Sequence, residues 1–197
     1  MKRKFLFLLI LAVIGVGVSS FIIGNSFAKW ECPVCQLSGN EISITPMINR
    51  QYSETAIDAV NSAESSIDIA VYQMKFYDSN NSVRKLLDAI SKAASRGVKV
   101  RVILEQGEWQ GKVTDLTKEN KKTASNLEEM GMEVKFDSIE TTTHDKIMII
   151  DSRIVILGSH NWAYSAFEKN NEASVMIKNS EIAAYYENYF ENLWAQF

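Results

Sequence analysis

The sequence predicts an α/β protein, a mixed, mostly parallel β-sheet flanked by helices and preceded by one N-terminal hydrophobic helix. Three observations carry this prediction. Short apolar runs such as Ile67, Ile69 and Val71, or Val98 to Leu104, alternate with longer segments whose apolar residues recur at helical spacing. A strand, helix, strand order needs a crossover, which makes the flanking strands parallel. The third is Ile147-Met148-Ile149-Ile150, an uninterrupted apolar run of the kind buried on both sheet faces. With 197 residues the chain suits one domain plus an N-terminal segment, and a body of that size buries a core without staples.

Three regions are expected: 1–28, 29–41 and 42–197. In the first, Lys2-Arg3-Lys4 precedes Phe5 to Ile23, 19 residues without a charge. As a helix this stretch is about 28 Å long, close to the hydrocarbon thickness of a bilayer. Ser26-Phe27-Ala28 also offers the small residues a signal peptidase reads, so a signal anchor and a cleaved signal peptide both stand. Either way the basic residues stay inside and the rest of the chain is exported, membrane-anchored or secreted. The second region holds the only two cysteines, in Cys32-Pro33-Val34-Cys35. Their open fates are a disulfide, free thiols, or half of a zinc site that a second copy of the chain would complete.

In the third region, Ile42 and Ile44 alternate with polar residues and predict a short strand before Pro46. Ser53 is expected to cap a helix carrying Ile57 and Val60 inward. After the strand through Val71, Gln73 to Asn81 forms a loop that would flank a site, with Lys75, Phe76 and Tyr77 as candidate contacts. Ser82 opens a helix bearing Val83, Leu86, Leu87, Ile90 and Ala94, ended by Gly97. Gln106 to Thr114 reads as a polar loop in which Trp109 would stack on a base, rest on lipid headgroups or simply pack. A helix through Leu127 and Met130 stops at Gly131, and Val134 and Phe136 mark another strand. Glu172 begins the strand through Val175 and Ile177. Ser180 caps a last helix whose stripe of Tyr186, Tyr189, Phe190, Leu193 and Trp194 reads as core.

The residues that carry chemistry cluster late in the chain. Side chains two apart on a strand share a face, so His144 and Lys146 project together. After a turn at Ser152-Arg153, a second apolar run from Ile154 to Leu157 returns Gly158-Ser159-His160-Asn161 towards them. Imidazole, ammonium, hydroxyl and amide together suit a phosphate. The spacing His144-x-Lys146, four residues, Asp151, six residues, Gly158-Ser159-x-Asn161 resembles the signature of the phospholipase D superfamily of phosphodiesterases. The resemblance runs from about Ile42 to Phe197, includes Asn171-Glu172-Ala173, and is nearest to short bacterial nucleases with one motif per chain.

That resemblance implies a phospholipase D-like fold and covalent catalysis. His144 would attack phosphorus to form a phosphohistidine, with no metal in the active site and no cofactor. Lys146 and Asn161, with Ser159, would hold the nonbridging oxygens. Glu172 would orient His144, while Asp151 and Gly158 would be structural. A second histidine must protonate the leaving oxygen. The chain has only His144 and His160, and His160, next to Ser159, should point the other way. The expectation is a homodimer in which two copies of His144 face each other.

Charge bears on the substrate. The chain carries a net charge of -3, and without Lys2, Arg3 and Lys4 the remaining 18 basic residues face 24 acidic ones, a net of -6. This excludes a global basic footprint, although Arg96, Lys99 and Arg101, or Lys118, Lys121 and Lys122, would suffice to line a groove. An endonuclease acting on DNA or RNA is the leading expectation. Hydrolysis of phosphatidylcholine or cardiolipin is the alternative, and a non-catalytic membrane-tethered binding protein the remote one.

Overall fold

The computed structural model describes residues 41–197. The expected N-terminal membrane helix and the Cys32–Cys35 pair lie outside the described residues. Among those described, no helix is long and apolar enough to cross a membrane.

Seven strands form one sheet in the order β1-β9-β8-β7-β2-β3-β6. They are β1 (Ser43–Ile48), β2 (Ser66–Val71), β3 (Lys99–Leu104), β6 (Glu133–Phe136), β7 (Lys146–Ile150), β8 (Ile154–Gly158) and β9 (Ala173–Lys178). The fold class is the expected mixed sheet flanked by helices, but its parallel part is confined to the β2-β3-β6 end, and four of the six strand pairs are antiparallel. Parallel pairing occupies β2, β3 and β6, where helices α2 (Ser82–Ser95) and α3 (Asp115–Glu129) make the crossovers. From β2 outward through β7, β8 and β9 to β1 every pair is antiparallel. The connection from β7 to β8 is too short for anything but a hairpin. Its turn places Asp151 and Ser152 at φ 53° and 51°, the left-handed conformation such tight turns need.

Two apolar layers cover the sheet. On one face α1 (Gln51–Asn61), α2 and α3 pack over Ile67, Ile69, Val71, Met148 and Ile150, all fully buried. On the other, α5 (Ser180–Trp194) places Phe190 against Ala70, Ile103 and Ile149. The aromatic stripe of the last helix is core, as its spacing predicts. Each large buried side chain contributes about 1.5–3 kcal/mol.

Arg101, one of the charges available to line a groove or a solvated face, is instead buried under α5. Its guanidinium donates to Asp68 Oδ1 and Oδ2 at 2.7 and 2.8 Å and to Glu191 at 2.6 Å, and lies over the Phe190 ring. Arg96 is likewise occupied, donating to the carbonyls of Val60, Asn61 and Ala63.

Several boundaries differ from expectation. β1 continues through Pro46, which is tolerated because β1 is an edge strand and its outer N–H groups need no partner. Met47 is buried there while Ile44 and Ile48 face solvent. Helix α1 begins two residues before Ser53, after Arg50, without a side-chain cap. At α5 the cap is Asn179, whose side chain accepts from the Ile182 N–H at 3.0 Å, and Ser180 is the first helical residue. The Gln106 to Thr114 segment is a small hairpin of β4 (Glu108–Trp109) and β5 (Lys112–Val113), turned by Gln110 and Gly111 at positive φ. A short helix, α4 (Tyr164–Glu168), has too few residues to show periodicity.

Candidate active site

Strand direction gathers the motif at one edge of the sheet. Strands β2, β3 and β6 run to that edge, β7 starts from it, β8 returns to it and β9 leaves it. The β7–β8 register sets Ile147 opposite Leu157, so Lys146 comes level with Gly158. Ligands of open α/β sheets bind at this kind of edge, beyond the ends of the parallel strands.

His144 stands just before β7 with an exposed side chain. Its ring packs edge-on against Tyr72, 4.5 Å between centroids, and among the described residues none hydrogen-bonds either ring nitrogen. Lys146, the first residue of β7, is 8% exposed. Its Nζ donates to the His144 carbonyl at 2.8 Å and lies over the Tyr72 ring at 5.2 Å. Burial pushes the Lys146 ammonium below the usual lysine range, against the pull of Asp145 and Glu172. An incoming phosphate would supply the counter-charge that burial withholds. Tyr72, which sequence reasoning passed over, thus touches both members of the pair. Its own N–H is fixed by the Asp145 carbonyl at 2.8 Å, and the Asp145 carboxylate accepts from the Tyr189 hydroxyl at 2.6 Å.

The Gly-Ser-His-Asn step divides its side chains between two sides. Ser159 is exposed, and its Oγ donates to Glu172 Oε2 while accepting from the Ala173 N–H. Ser159 is therefore engaged in holding Glu172. The other Glu172 oxygen accepts from Asn170 Nδ2 at 2.9 Å. Glu172 was expected to orient His144; its carboxylate is taken by Ser159 and Asn170, because the loop before β9 turns it towards the end of β8. It still acts electrostatically on both Lys146 and His160. Asn161 is half-buried, and its Oδ1 is buried without a hydrogen-bond partner among the described residues.

His160 points away from Ser159, as strand alternation predicts. It is fully buried and stacks on Tyr52 at 4.4 Å. Its Nε2 lies 3.0 Å from the Asn49 carbonyl, which only accepts, so Nε2 carries the proton and Nδ1 accepts from Ser174 Oγ at 2.7 Å. Burial holds its pKa below the usual histidine range, against the Asn49 carbonyl and Glu172. Gly158 explains the glycine of the motif. A Cβ there would collide with the backbone and side chain of Ser174, the residue that holds His160.

Asp151 is structural over a longer reach than its own turn. Its carboxylate accepts from the N–H groups of Glu64, Ser65 and Ser66 and from Ser65 Oγ, at 2.7 to 2.9 Å, pinning the β7–β8 hairpin to the start of β2. Partial burial pushes its pKa up, but these donors outweigh it and hold the group below the usual aspartate range.

The two substrate-contact candidates sit on flanking loops. Lys75 donates to Glu119 at 2.9 Å and, with Phe76, Tyr77 and Lys122, lines a cleft of about 260 Å³. Its backbone N–H binds the Trp162 carbonyl, next to Asn161. Trp109 is 73% exposed on the β4–β5 hairpin. Among the described residues, no group of three His, Cys, Asp or Glu side chains is arranged to hold a metal ion.

The family described as "Cardiolipin synthase, PLD-like domain" matches residues 56–194. A mitochondrial cardiolipin hydrolase of Chlamydomonas reinhardtii is 26% identical over 163 residues, 83% of this chain and 65% of that protein, so the chain spans less than two thirds of that relative. A phospholipase D of Rickettsia prowazekii is 26% identical over 176 residues, 89% of this chain and 78% of that one. Among solved structures, the phospholipase D family member Nuc from Salmonella typhimurium superposes with a TM-score of 0.64 at 24% identity, covering 79% of this chain and 96% of that chain. With its fold shared and well over half of its length matched by the family, the chain belongs to the phospholipase D superfamily of phosphodiesterases.

Proposed function

We propose that this protein hydrolyses phosphodiesters through a phosphohistidine on His144, without a metal, and that its substrate is DNA or RNA. The observation that carries the reading is the pair at the sheet edge: an exposed imidazole whose ring no described residue hydrogen-bonds, beside an ammonium anchored by the histidine's own carbonyl. A ring nitrogen of His144 attacks phosphorus and the bond to the leaving oxygen breaks. A second histidine protonates that oxygen, and water then cleaves the phosphorus–nitrogen bond to free His144. Lys146 and the Asn161 amide hold the nonbridging oxygens, whose charge grows in each transition state. His160 cannot be the proton donor, since it is fully buried and both ring nitrogens are engaged. The donor is therefore His144 of a second copy, in a homodimer.

Nucleic acid is supported by the similarity in fold to Nuc and by the exposed Trp109, a surface on which a base can stack. Phospholipid is the second reading, supported by relatives named phospholipase D and cardiolipin hydrolase and by the uncharged 19-residue stretch that would anchor an exported domain at a membrane. The test uses the full chain in detergent with EDTA, on labelled single-stranded DNA and on vesicles of phosphatidylcholine or cardiolipin. Cleavage of DNA alone supports the nuclease, and cleavage of lipid alone replaces it with the phospholipase. Failure on both contradicts the proposal. Specific activity that falls on dilution below the dimer range supports the two-copy site, and activity that stays constant in a dilute monomer contradicts it.

A further inference from the structure

The edge that carries His144 also carries two buried carboxyl groups for which the reaction above has no use. Glu105 follows β3 and Asp137 follows β6, neighbouring parallel strands, and the two are 4% and 2% exposed. Both point at one N–H. The Thr143 amide, one residue before His144, lies 2.6 Å from Glu105 Oε2 and 2.9 Å from Asp137 Oδ2. Their other hydrogen-bond partners among the described residues are neutral. The Gln106 N–H donates to Asp137 Oδ1 at 2.6 Å, Asn120 of α3 donates to the Glu105 carbonyl at 2.9 Å, and the Thr142 side chain hydrogen-bonds Glu105. Among the described residues, no lysine, arginine or histidine pairs with either carboxyl. Two carboxylates converging in a buried site without a cation cannot both ionise, and a proton between them removes the conflict.

We propose that Glu105 and Asp137 share one proton and act as a positioning clamp, fixing the Thr143 amide and through it the backbone of His144. The role in catalysis rests on the reading of His144 as the nucleophile; the clamp itself does not. Burial first, and then Asp137, push the Glu105 carboxyl up to about 8. Loss of the shared proton sets two negative charges against each other, loosens their hold on Thr143 and displaces His144. Neither residue touches substrate.

The test has a structural and a kinetic arm, both on the full chain. Infrared difference spectra should show a protonated carboxyl at pH 7 that disappears with a midpoint near 8, and the Thr143 amide proton resonance should shift with the same midpoint. Glu105→Gln should abolish both transitions, while Asp137→Asn should lower the midpoint by relieving Glu105 of a like-charged neighbour. In the kinetic arm, the wild type should lose kcat above about pH 8 with KM unchanged. Glu105→Gln should keep kcat at pH 7 within about threefold and lose the alkaline limb. No protonated carboxyl at pH 7, a Thr143 resonance indifferent to the titration, or an alkaline limb unchanged in Glu105→Gln would each overturn the proposal. If both spectroscopic transitions are present but no phosphodiester is cleaved, the clamp stands and the assigned reaction falls.

Discussion

His144 and His160 are the two histidines of this chain, sixteen residues apart, and the hairpin brings both to the same sheet edge. One is exposed, with its ring leaning on Tyr72 and neither nitrogen engaged by any described residue. The other is fully buried, stacked on Tyr52, and fixed at both nitrogens by Asn49 and Ser174. The same imidazole serves two purposes because its surroundings settle what its nitrogens are free to do. A nucleophile needs an available lone pair; a structural histidine needs both nitrogens satisfied in the dark of the core. His160 ties the end of β8 to Asn49, just after β1, and to Ser174 of β9, and it stands next to Asn161 in the chain.

The comparison breaks most plainly at its reactive side. His144→Ala should lower diester hydrolysis by on the order of 10⁴-fold or more, as loss of a covalent nucleophile does. Thermal unfolding of the variant should match the wild type, since the ring is exposed. His160→Ala should do the reverse. It removes a stacked ring and leaves Ser174 Oγ unpartnered in the core, at a cost of about 2–4 kcal/mol in denaturant unfolding, while folded molecules keep measurable turnover. Gly158→Ala probes the same tie from the strand below. The added methyl must push β8 away from Ser174, destabilising by about 1–3 kcal/mol and lowering activity by moving Ser159 and Asn161.

The smallest effect on activity concerns Asp151, at the far end of the hairpin from either histidine. Asp151→Asn should cost about 1–3 kcal/mol near neutral pH. Its sign with pH follows from a pKa lower in the folded than in the unfolded chain. The stabilisation is present above the ordinary aspartate pKa and is lost as pH falls through the folded value. Wild type and Asp151→Asn should therefore converge in stability in acid. Activity measured at a temperature where both are folded should barely differ.

Much of this arrangement was legible in the sequence because it depends on local periodicity. The apolar run Ile147 to Ile150 announced a buried central strand, and the alternation along β8 foretold that His160 would turn away from Ser159. What stayed hidden depends on partners distant in the chain. Glu172 meeting Ser159, Asn49 meeting His160, and Asp151 reaching back to Glu64–Ser66 are set by strand order, which spacing does not encode. Tyr72 was passed over because it closes an ordinary strand, and only β7 lying beside β2 gives it two neighbours from the motif. Arg101 looked like surface charge because its carboxylate partners, Asp68 and Glu191, come from another strand and the last helix. Glu105 and Asp137 end separate strands, and nothing short of the parallel register of β3 and β6 brings two acids onto one amide.

The most direct test of the division between the two histidines is to trap the intermediate. The full-length protein would be mixed with an activated diester such as bis(p-nitrophenyl) phosphate, quenched in alkali, where phosphohistidine survives, and its peptides weighed. A phosphoryl adduct on the peptide containing His144, absent from the His144→Ala protein and never on His160, is the predicted result. Turnover with no adduct at His144, or an adduct on His160, would contradict the account.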